Sequence, residues 1–232
     1  MTNNSKSVKT VNINGVEYPL LNSKFTVNAS PVHVSDYMSG KMAGLPSIST
    51  SCLDNPICQA RMKDGNSICA HCFAAATLNQ YKTCGEHASN NLRLLSENVL
   101  PLDLLPIFGN VRFVRIESFG DVSNVNQAIN YLNIAKVNPE VTFAWWSKNM
   151  SIIAKAIEII GRPENIIFIE SSERVNVAKA KSFDFIDYVF TVYDKKYIKE
   201  NAVEINCGAR RCLTCGRCYH KGNGEQVREQ LK

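Results

Sequence analysis

The sequence has 232 residues, 45% of them hydrophobic and 20% charged, with a formal charge of +5 and a mean hydropathy of −0.14. That composition argues against a disordered chain, and the lack of any run of about 18 apolar residues argues against a membrane-spanning helix. A chain this long buries roughly 70% of its extended surface without disulfides, so its nine cysteines need another explanation.

The chain starts with MTNNSKSVKT, which has no apolar core of a signal peptide, so a cytoplasmic location is expected. In that reducing compartment cysteines serve as metal ligands or catalytic groups more often than as disulfides. Residues 1–38 read as a β-rich extension, with a hairpin turn at Asn14-Gly15 between Val11, Ile13, Val16 and Tyr18. From Ser39 to Cys84 the sequence is rich in Gly, Pro, Ser and Cys without periodicity, which predicts loops organised by a metal. Residues 86–98 then read as a helix, followed by strands at 111–116, 141–146, 166–170, 188–193 and 203–206. Helices are predicted between them at 123–136, 150–160, 173–182 and 195–200. Residues 39–220 make one α/β domain, and 221–232 a basic tail. Residues 207–232 carry +4 of the +5 charge, which suits either phosphate contact or plain solvation.

Strands joined by crossover helices make a parallel sheet, and ligands bind at its C-terminal edge. Four strand ends carry polar groups there: Glu117-Ser118-Phe119-Gly120-Asp121, Ser147-Lys148-Asn149 after Trp146, Glu170-Ser171-Ser172-Glu173-Arg174, and Asp194-Lys195. The ordinary alternative is that turns are polar and that Ser, Asp and Asn cap helices. Of the Trp145-Trp146 pair, alternation sends one indole to each face of the sheet.

The cysteines fall into two groups. Cys207-x4-Cys212-x2-Cys215-x2-Cys218 has the tight spacing with which a loop winds around a [4Fe–4S] cluster, with a structural zinc as the alternative. Arg210, Arg211 and Arg217 are expected to soften its negative charge. The second group is Cys52, Cys58, Cys69 and Cys72, with Cys84 spare; a redox pair or buried free thiols are its alternatives. His71 and His87 are expected to be exposed or structural.

The runs GKMAGLPSISTSC, ICAHCFA, VRFVRIESFGDV, VTFAWWSKN and INCGARRCLTCGRC resemble the phage gene product 88 family over roughly residues 39–220. That family is similar in outline to radical S-adenosylmethionine proteins. The resemblance implies an α/β fold built as a partial (β/α) barrel of parallel strands, with cysteine-rich metal loops before and after it. It also implies that ESFGD (117–121) lies near the methionine moiety of S-adenosylmethionine and IESSERV (169–175) near its ribose or carboxylate. Ser118, Gly120, Trp146, Ser171 and Ser172 then become candidate cofactor contacts, and Glu117, Asp121, Lys148, Glu170 and Arg174 candidate catalytic groups. One departure stands out: radical enzymes use Cys-x3-Cys-x2-Cys with an open iron, whereas ten residues precede the Cys-x2-Cys here and a fourth cysteine is available. Two functions follow. One is an iron–sulfur enzyme acting on a nucleotide or nucleic acid in the host cytoplasm. The other is a metal-stabilised, non-enzymatic phage protein that binds nucleic acid through 207–232, or a host protein.

Overall fold

The computed structural model describes residues 9–231, so residues 1–8 of the expected extension and Lys232 of the expected tail lie outside the described residues. Strands β1 (Thr10–Ile13) and β2 (Val16–Pro19) pair antiparallel as the Asn14-Gly15 signal predicts. Both turn residues take positive φ, 51° and 84°, the conformation a two-residue hairpin requires. Ile13 and Tyr18 carry the hairpin into the main core.

The segment read as loop holds more structure than its composition suggests. It contains β3 (Ser47–Ile48), α1 (Pro56–Lys63) and α2 (Phe73–Gln80). Asn55 caps α1 through the amides of Ile57 and Cys58, with Pro56 at the first helical position. Periodicity misses α1 because the helix has little apolar face: among its residues only Cys58 is buried.

Helix α3 (Lys82–Glu97) starts four residues before the predicted boundary. Then β4 (Phe113–Ile116), α4 (Val125–Lys136), β5 (Thr142–Ser147), α5 (Met150–Ile160), β6 (Ile166–Ser171), β7 (Tyr188–Tyr193) and α6 (Lys195–Asn201) follow the predicted alternation. A short helix α7 (Cys212–Cys215) and a final strand β8 (Glu225–Gln230) complete the chain. Strands β3 to β8 form one six-stranded parallel sheet whose spatial order is the chain order. The α/β reading and the parallel sheet therefore hold.

Two elements differ from the sequence reading. Residues 173–182 form no helix: the buried Glu170 carboxylate takes Lys179 Nζ at 2.6 Å and the Ser182 amide at 2.9 Å, which holds the loop against the strand end. Residues 203–206 are not a strand, and the expected tail supplies one instead. All six residues of β8 pair with β7, from Tyr188↔Glu225 to Tyr193↔Gln230. The 203–207 segment runs along β8's outer edge, where the Asn206 and Cys207 amides donate to Arg228 O. EQVREQ shows one apolar residue, Val227, because its neighbours lie at the rim of the sheet.

Alternation divides the sheet cleanly. Val114, Ile116, Phe143, Trp145, Ile166 and Phe168 face Leu94 and Leu95 of α3, Leu132 of α4 and Ile153 of α5. Phe113, Ala144, Ile167, Ile169, Tyr188 and Val227 face the other way, where Tyr219, Cys207, Cys212 and Cys218 cover them. The second cysteine segment is thus a layer of the fold.

Candidate metal centres

The first cysteine segment crosses the C-terminal edge of β4, β5 and β6. Asn55, the α1 cap, donates through Nδ2 to Asp121 O at 2.7 Å. Arg61 of α1 donates to Asn149 Oδ1 at 2.8 Å and to Glu173 Oε1 at 2.6 Å, and lies 3.4 Å from Asp121 Oδ2. The Ile68 amide donates to Glu173 O at 2.8 Å. Asp121 itself accepts from Ser147 Oγ at 2.5 Å and from the Lys148 amide at 3.0 Å, which ties the ends of β4 and β5 together. It is 4% exposed, and its oxygens are spent on these contacts.

Glu117 is turned inward. Strand alternation would send it to the face of Phe113 and Arg115, but its φ of 56° breaks the pattern. The carboxylate instead accepts from Tyr131 OH and Gln127 Nε2 of α4, each at 2.7 Å, and from Thr50 Oγ1 at 2.8 Å and Thr50 N at 3.1 Å. Burial, opposed by these hydrogen bonds, pushes it up to about 8. Gly120, φ 79°, lets Thr50 approach: a Cβ there would lie 2.4 Å from Thr50 O. Both residues position the strand leading to Cys52. Glu170 is likewise engaged, by Lys179 and Ser182.

Of the remaining edge residues, Ser118 is buried, with Oγ 2.6 Å from Ser47 Oγ. Ser171 is buried in β6, and Ser172 Oγ binds within its own loop to Arg174 O and Val177 O. Arg174 is exposed, and Lys148 is half-buried. The tryptophans divide as alternation predicts, Trp145 into the helix-side core and Trp146 onto the opposite face.

Lys148 acts electrostatically on the first thiol group, favouring the thiolates of Cys58 and Cys72. Cys52, Cys58 and Cys72 pack in one cluster, and Cys69 acts on Cys58. A hydrogen bond from Cys52, with the amides of Ala74 and Ala75 at the start of α2, holds the Cys72 thiol below the ordinary range. The same pairing, with burial, raises Cys52. Cys84 packs at the margin of this cluster, raised by burial alone. His71 is exposed, while His87 stacks on His33 with ring centroids 3.9 Å apart.

The second group holds Cys207, Cys212 and Cys218 half-buried and Cys215 exposed. Burial raises Cys207 and Cys212, and pushes Cys218 up to about 12, and Cys215 adds to the rise in all three. Two cations counter this that the sequence reading does not single out. Lys41 Nζ lies 2.8 Å from Cys207 O and 3.8 Å from its Sγ. Arg115 of β4, over the Trp146 ring at 3.1 Å, favours the thiolates of Cys212 and Cys218. A signal for Arg115 exists in VRFVRI: alternation places an arginine on the same face as Phe113, where an apolar residue would be usual. Arg210, Arg211 and Arg217, the expected cations, are exposed.

All nine cysteines are free. Among the described residues no three His, Cys, Asp or Glu side chains converge to hold a single metal ion. Also among them, no helix is long and apolar enough to cross a membrane. A family model described as gene product 88 matches residues 3–230. No curated protein and no solved structure matches significantly.

Proposed function

The chain belongs to the phage gene product 88 family, and from that premise we propose that it is an iron–sulfur protein of redox or radical function, working in the reducing cytoplasm of the bacterial host. The observation that carries this reading is the gathering of free thiols into two groups on one sheet, each with a cation beside it. Thiolates of an iron–sulfur cluster bind separate irons, so they need not meet at one ion, and the chemistry of the donors suits iron. Cys52, Cys58, Cys69 and Cys72 would hold one cluster, and Cys207, Cys212, Cys215 and Cys218 the other. A bound cluster supplies one-electron transfer. The chain order of the six parallel strands is that of a (β/α) barrel opened along one side, which supports the partial-barrel expectation.

The protein's own groups point to redox work more than to acid–base work. Glu117, Asp121 and Glu170 hold neighbouring segments in place, so proton handling falls to the half-buried Lys148, while the exposed Arg174 offers a fixed positive charge. Trp146, Ser118, Gly120, Ser171 and Ser172 line or support the edge at which a nucleotide-bearing cofactor such as S-adenosylmethionine would bind. Anaerobic reconstitution tests the reading. Iron and sulfide near eight of each per chain are expected from two cubanes, with a visible absorbance band that C69S/C72S and C207S/C215S each halve. Stoichiometric zinc, or no metal, would sink it. Reductive cleavage of S-adenosylmethionine by the reconstituted protein decides whether the first site keeps an iron open.

A second reading, a metal-stabilised binder of nucleic acid or a host protein, rests on the exposed Arg210, Arg211 and Arg217 around the second group. It predicts salt-dependent DNA or RNA binding that is lost when all three become alanine. Binding unchanged by salt, or absent, removes the nucleic-acid version.

A further inference from the structure

We infer that Lys41, paired with Glu229, and Arg115 set the charge balance of the second thiol group and thereby the reduction potential of the cluster it binds; this rests on the iron–sulfur reading above. Three distant parts of the chain meet here. Lys41 comes from the turn before β3, Arg115 from β4, and Glu229 from β8. Lys41 Nζ donates to Cys207 O at 2.8 Å and to Glu229 Oε1 at 2.6 Å, with Cys207 Sγ 3.8 Å away. Arg115 lies flat on Trp146, 3.1 Å from the ring centroid.

Arg115 carries the argument. It has no carboxylate partner among the described residues, and its buried Nε has no hydrogen-bond acceptor among them. Arg115 is half-buried, and a guanidinium whose Nε is taken out of water without an acceptor is costly unless an anion answers its charge. The groups that favour its charge are Tyr219, Cys218, Cys212 and Glu229. Thiolates at Cys212 and Cys218 would supply the missing partner. Solvent screens the exposed Arg210, Arg211 and Arg217 more than the half-buried Arg115 and Lys41, whose charges therefore interact more strongly with the thiols.

The sign follows from the charge added on reduction. A cluster gains one negative charge when it accepts an electron, so nearby cations stabilise the reduced form and raise the potential, and Glu229 lowers it. Lys41 and Glu229 are accessible enough to change without disturbing the core, with side chains 26% and 22% exposed.

The test is a potentiometric titration of the reconstituted full-length protein and its variants, followed by visible absorbance. K41M is expected to lower one reduction wave and E229Q to raise the same wave. Each changes the reduced-to-oxidised ratio at fixed potential by tenfold or more, about 59 mV for one electron. The other wave stays in place, and C207S/C215S removes the wave that moves. A general loosening of the fold would not move one wave in opposite directions. A protein that holds iron at the second group yet shows both waves unmoved, or both variants shifting the same way, overturns the inference and leaves the iron–sulfur reading standing. A wild-type protein that takes up no iron, or whose waves all survive C207S/C215S, overturns the assignment of a cluster to this site and the inference with it.

Discussion

Glu117 has its carboxyl pushed up to about 8 from an ordinary 4.5, chiefly by burial. A carboxyl so raised binds a proton in the folded chain between about pH 4.5 and 8 that the unfolded chain has released. Stability from this group is therefore full below 4.5 and is lost as pH climbs to 8. His33, lowered to about 4 by burial and by His87, acts with the opposite sign between 4 and its ordinary 6.5. The Cys72 thiol, lowered by Cys52, also opposes Glu117 at higher pH. Comparing wild type with E117Q isolates the carboxyl: the fall in urea midpoint from pH 6.5 to 8 is expected to be shallower in the variant. Identical slopes would mean that Glu117 ionises freely and holds no proton at neutral pH. A polar residue after a β-branched run is legible as a strand end. Its left-handed φ, which sends the side chain to α4, is not, because it arises from Thr50 closing over the turn from 67 residues away in sequence.

Among the elements, those with period and length were readable. Helices α4 and α5 match the expected 123–136 and 150–160 closely, since each carries an apolar stripe long enough to mark it. Helix α1 and strand β8 carry one buried apolar residue each and owe their form to capping and pairing. Helix α1 is fastened by Arg61, 17% exposed, which reaches Asn149 and Glu173 and faces Asp121. R61A leaves Asp121 without its cation and costs roughly 2–3 kcal/mol. Because α1 carries Cys58, the proposed iron–sulfur function adds a second expectation: iron content falls toward that of one site. Chemical denaturation and iron assay of the same preparation check both. Full stability in R61A would show that Asn55 alone secures the helix.

For the molecule as a whole, the sheet separates two environments. Helices α3 to α5 close one face, and the 207–219 segment closes the other. The order is completed only by β8, so removing residues 224–232 is expected to abolish cooperative unfolding and expose Tyr188 and Tyr219, seen in near-ultraviolet circular dichroism and limited proteolysis. Tolerance of that truncation would restore the view of a dispensable tail.

Local pattern alone determined the parallel α/β frame, the Asn14-Gly15 hairpin, the opposite destinations of Trp145 and Trp146, and the division of the cysteines into two groups, because periodicity and spacing act between residues near in sequence. Tertiary structure decided which strand-end carboxylates are spent inside the fold and which cations meet the thiols. Lys41 and Cys207 stand 166 residues apart yet touch. Charge acts through space, and only the closing of long loops brings those two groups to one place.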